Sequence, residues 1–92
     1  MIEDIILEGE LLKSKALDQN DPNLLESEYI DKVYMDVEEW IERAKKDLSS
    51  NYPNCDINLD ELRWKDIGSR SREALSGFIE SKLLKMRPLI KH

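Results

Sequence analysis

His92 is the only histidine of the chain and its last residue, where order is least expected. Schemes in which a histidine base activates a serine or cysteine nucleophile therefore have no natural centre. Cys55 is the only cysteine, so no internal disulfide can form, and a reducing cytoplasm is the expected setting. Its neighbours Asn54 and Asp56 offer no positive charge to lower a thiol pKa. Carboxylates are plentiful, and Glu38, Glu39 and Glu42 cluster within one helical turn. A helical di-metal centre would need inward glutamates with a Glu-x-x-His partner, and no such histidine exists. These three acids read as a solvated face. Zinc spacing, a calcium loop, a phosphate-cradling glycine loop and a dinucleotide fingerprint are all absent from the sequence. The expectation is a non-enzymatic protein with no catalytic residue, no metal, no cofactor and no evident small-molecule substrate.

Charge is the next source of chemistry. The formal net charge is −6. Residues 1–40 hold twelve acids and three bases, whereas residues 41–92 hold eight acids and eleven bases. The last helix carries Lys82, Lys85, Arg87 and Lys91, and Arg70 and Arg72 lie at its start, where free backbone N–H groups could meet phosphate. An acidic chain opposes the electrostatic attraction that dominates nucleic-acid binding, so nucleic acid is not the expected partner. Two readings of the asymmetry remain. Acids near helix starts and bases near helix ends complement helix dipoles. Alternatively, one protomer's acidic half meets another's basic half, which would set orientation and on-rate.

The elements that carry these groups are helices. Ile30, Val33, Tyr34, Val37, Ile41, Ala44 and Leu48 recur at three- and four-residue steps, the face of one long amphipathic helix. It starts at Asp21-Pro22 or near Ser27 and runs to Ser49 or Ser50. Glu39/Arg43 and Glu42/Lys46 pair along its polar side at i, i+4. At 1.5 Å per residue it spans roughly 33–40 Å. A first helix is predicted over residues 2–18 from Ile2, Ile5, Ile6, Leu12 and Ala16, with Gly9 inside its stripe. Gly9 marks close packing or a site where another backbone approaches. Ser49 to Asn54 reads as a loop, with Pro53 disfavouring helix at Tyr52. Asn58-Leu59-Asp60-Glu61 reads as a capping box opening a short helix over 59–67. Ser69 or Ser71 caps a last helix with the face Ala74, Leu75, Phe78, Ile79, Leu83, Met86 and Ile90, kinked or ended near Pro88.

With 40% hydrophobic and 37% charged residues, and only three Gly and three Pro, the chain predicts an all-α fold. Residues 1–92 form a single helical domain: an elongated bundle of three long helices plus one short helix, which dimerisation can complete. Helix crossings near about +20° are the default for such bundles. The predicted core is Ile6, Leu12, Ile30, Val37, Ile41, Ala44, Leu48, Leu75, Phe78, Ile79 and Leu83. No apolar run approaches the ~18 residues of a spanning helix, and the acidic start Met1-Ile2-Glu3-Asp4 is unlike a secretory signal.

Function is expected to be interaction. Tyr29, Tyr34 and Trp40 make the long helix apolar over much of its girth, and such helices have neighbours on several sides. These three are the candidate partner-binding anchors, with Trp40 alternatively a core residue. The expected role is a small cytoplasmic adaptor or regulatory subunit that self-associates, as a homodimer, or binds a partner protein. The alternative is a small acidic regulator, of the antitoxin or phage-inhibitor type, acting on a partner that works on nucleic acid.

Overall fold

In the computed structural model, residues 2–18, 25–54 and 57–90 are described. They form α1 (Ile2–Leu17), α2 (Glu26–Asn51) and α3 (Arg72–Met86), with single 3-10 turns at Trp64–Asp66 and Arg87–Leu89 and no strand among them. The proposed helix start at Asp21-Pro22, Cys55 and His92 lie outside the described residues.

Each helix forms where its pattern predicts. In α1 the buried positions Ile2, Ile6, Gly9, Leu12 and Ala16 follow the helical repeat, with Glu3 and Asp4 in the first turn and Lys15 in the last. Leu25 precedes α2 at its N-cap and donates its backbone N–H to Glu28 Oε1 at 3.1 Å. α3 is capped by Ser71, whose Oγ accepts from Ala74 N at 3.1 Å. It ends one residue before Arg87-Pro88, because Pro88 has no N–H to continue the ladder.

α1 is the central element. Arg43–Glu8 at 2.5 Å and Lys15–Asp36 at 2.9 Å set it antiparallel to α2. Lys13–Glu80 at 2.7 Å and Arg87–Glu10 at 3.2 Å set it antiparallel to α3. α2 and α3 therefore run parallel and touch each other less than either touches α1. The bundle is elongated, 45 × 24 × 18 Å. All eleven predicted core residues are buried, joined by Ile2, Ala16, Val33, Trp40, Leu59, Trp64 and Met86.

A parallel pair needs a crossover. The chain must return from the end of α2 to its start, where Arg72 N meets Glu26 Oε2 at 3.1 Å. Twenty-six helical residues make that distance about 39 Å at 1.5 Å per residue. About twelve extended residues at roughly 3.3 Å each cover it. The helix expected over 59–67 is one 3-10 turn, Trp64–Asp66, because Lys85 takes the Glu61 carboxylate and Lys82 takes the Leu62 carbonyl. Asn58, read as a cap, makes an Asx turn instead, its Oδ1 accepting from Asp60 N at 2.9 Å.

Glu80 is the best-anchored carboxylate between helices. Arg87, at 2.6 Å and 3.1 Å, and Lys13, at 2.7 Å, hold its pKa down to about 2. A depressed carboxyl contributes stability above its unfolded pKa and loses it as pH falls through the folded one. Stability is therefore expected to drop from the ordinary carboxyl range down to about pH 2. Glu61, lowered by its bond to Lys85, adds to the same limb. Urea unfolding across this range should show a shallower acid decline in Glu80→Gln; an unchanged slope would remove Glu80 as its source.

Candidate functional site

The three candidate anchors take different places. Tyr29 is half-buried, and its hydroxyl is shared between the Lys15 carbonyl at 2.6 Å and the Asp18 carbonyl at 2.5 Å. It closes the C-terminus of α1, whose last carbonyls have no partner within the helix. Trp40 is fully buried, and its indole N–H donates to the Ile5 carbonyl at 2.7 Å. Its ring presents no surface in this fold, so a contact with a partner would require α1 to move aside. Tyr34, also half-buried, borders a groove. The structure does not bring the three together at one surface.

Tyr34 instead joins an aromatic group that periodicity did not reveal. Its ring stacks on Trp64 with centroids 5.7 Å apart and planes 23° apart. Phe78 of α3 tilts against both, at 6.1 Å and 5.6 Å. Trp64 comes from the connection, where no repeat exists to assign it a face. Only its size signalled burial.

The connection over residues 57–70 forms a strap, fastened by three lysines. Lys45 reaches Asp60 at 2.9 Å and Glu42 at 3.2 Å; Lys85 reaches Glu61. Lys82 is wholly buried: its Nζ donates to the Leu62 carbonyl at 2.5 Å and lies 4.6 Å from the Phe78 ring centre. Burial pushes the pKa of Lys82 down, and its carbonyl and π contacts favour the charged form. The bond to Asp60 raises the pKa of Lys45.

Between α2 and the strap lies a groove of about 480 Å³. Tyr34, Ile41, Leu59, Leu62, Trp64 and Phe78 supply its apolar lining. Glu38, Glu42, Asp60, Arg63, Lys65 and Arg70 supply its charges. The indole N–H of Trp64 is buried with no acceptor among the described residues. Burial, and secondarily Glu38, raises the pKa of the Tyr34 phenol, which stays a neutral hydroxyl at physiological pH.

Glu38, Glu39 and Glu42 all lie exposed on α2, and Arg43 and Lys45 break their row. Among the described residues no three His, Cys, Asp or Glu side chains converge to hold a metal ion. Among the described residues, no helix is long and apolar enough to cross a membrane.

The described residues form a three-helix all-α bundle with a crossover strap and a groove lined by aromatic side chains. Comparison with protein-family models, with curated proteins and with solved structures gives no match.

Proposed function

We propose that this chain is a non-enzymatic protein–protein interaction module of the cytoplasm, and that its partner docks on the groove between α2 and the strap. The observation that carries this reading is the groove itself. Tyr34 and Leu62 stay partly open to the surface there, above Trp64 and Phe78, which belong to the core of eighteen buried apolar side chains. Aromatic side chains in a partly desolvated recess are what binding hot spots are made of. Of the three anchors expected from sequence, Tyr34 keeps that role here, with Trp64 and Phe78 buried behind it as its support. The alternative acidic-regulator reading draws on Glu38, Glu39 and Glu42, and finds less support because Arg43 and Lys45 interrupt that face.

The test is photo-crosslinking of the full chain with benzoylphenylalanine in place of Leu62, at the groove, or of Leu84, exposed on the outer side of α3. Position 62 is expected to yield one dominant protein adduct, and position 84 none. Absence of any such adduct at position 62 would overturn the reading.

A further inference from the structure

The groove is sorted by charge. α2 contributes the acids Glu38 and Glu42, and the strap contributes the bases Arg63, Lys65 and Arg70. The strap's one acid there, Asp60, is held at 2.9 Å by Lys45, which also pairs with Glu42 at 3.2 Å, so Glu38 is the acid that α2 leaves unengaged among the described residues. Arg63 and Arg70 are engaged by Asp66 at 3.2 Å and Asp31 at 2.5 Å in exposed pairs, which hold their partners weakly. Glu38 and Lys65 make no ion pair among the described residues. Apolar surface accompanies them. Leu62 is 39% exposed at the groove, and Met35, 66% exposed, shares the helical face of Glu38 and Glu42.

A partner of one charge sign would be attracted by one side of this groove and repelled by the other. A surface with the same division, turned over, would be attracted by both. Such self-complementarity is what an isologous two-fold contact requires. A two-fold axis along the groove sets the α2 side of one copy against the strap side of the other, opposing acids to bases twice. It also brings the two exposed Leu62 regions toward one apolar centre.

We propose that the occupant of the groove is a second copy of this chain, docked about that two-fold axis. The proposal rests on the interaction-module reading and names its partner. The net charge of −6 per copy repels at distance, but at ~0.15 M salt screening beyond about 8 Å leaves the contact charges dominant.

The experiment is solution mass by light scattering at that salt, over a dilution series, for the full chain and its charge reversals. Glu38→Lys and Lys65→Glu are compared singly, combined in one chain, and as an equimolar mixture of the two single variants. Both sites are exposed, and circular dichroism verifies the fold. The chain is expected to dimerise, and each single reversal to raise the dissociation constant about tenfold or more. The combined variant and the mixture are both expected to restore association, because each again opposes unlike charges. A monomer at every concentration, or a dimer indifferent to both reversals, would overturn the proposal. A Leu62-position adduct with a different protein would overturn the second copy while leaving the module reading intact. Absence of both dimer and adduct would remove both.

Discussion

Replacing Trp40 with alanine is expected to destabilise the fold by about 3–5 kcal/mol, the range for truncating a buried aromatic side chain. A 92-residue domain has roughly 5–14 kcal/mol in total, at 0.05–0.15 kcal/mol per residue. The variant should therefore lie near the limit of folding at room temperature. Two losses add. The ring vacates the space where α1, α2 and α3 meet, beside Gly9 and Leu83. The Ile5 carbonyl also loses the indole N–H that it accepts at 2.7 Å. Urea denaturation followed by circular dichroism measures the effect. A loss below ~1 kcal/mol would mean that the ring does not organise the core.

Gly9→Ala is expected to destabilise by about 1–3 kcal/mol, against the helical preference for alanine of up to ~1 kcal/mol. A Cβ at this position would lie 2.3 Å from Trp40 Cζ2, 2.9 Å from Trp40 Cη2 and 2.7 Å from Leu83 Cδ2. The indole cannot easily retreat, because its N–H is fixed to α1 at Ile5 and its ring is enclosed. The glycine is thus a matter of volume, and no positive φ is involved. The sharper measurement is the double variant. With Trp40 truncated, the added methyl enters vacated space, so the two losses should fall short of their sum by on the order of 0.5–3 kcal/mol. Simple additivity, or a Gly9→Ala protein more stable than the parent, would refute the close approach.

The helical repeat made most of this fold legible. A residue such as Val37 or Ile79 needs only the 3.6-residue period to be assigned inward, and both are fully buried. Gly9 carried a correct hint as well, since a glycine interrupting an apolar stripe signals close packing. What periodicity cannot supply is the third dimension around a helix. Trp40 lies at the edge of the stripe, where the same residue suits a core or an interface. Its burial follows from the placement of α1, which no local pattern encodes. Lys82 was readable in part: it lies four residues after Phe78 and three after Ile79, on the buried face. The strap was least legible. Asn58 keeps only the local half of its capping-box signal, an Asx turn, because Glu61 bonds Lys85 rather than reaching back to it. The groove inherits that difficulty, because half of its lining comes from a segment without a repeat.

The placement of α1 between two later helices also sets an order on the life of a newly made chain. Ion pairs that close the bundle join residues as far apart as Glu10 and Arg87. As the polypeptide leaves the ribosome, α1 and α2 can meet early, but Trp40 and Ile79 keep incomplete cover until α3 has emerged to Met86. Until then the nascent protein shows oily surface to its surroundings. Its exposure to chaperones and to premature clumping therefore lasts until α3 has emerged and packed on α1.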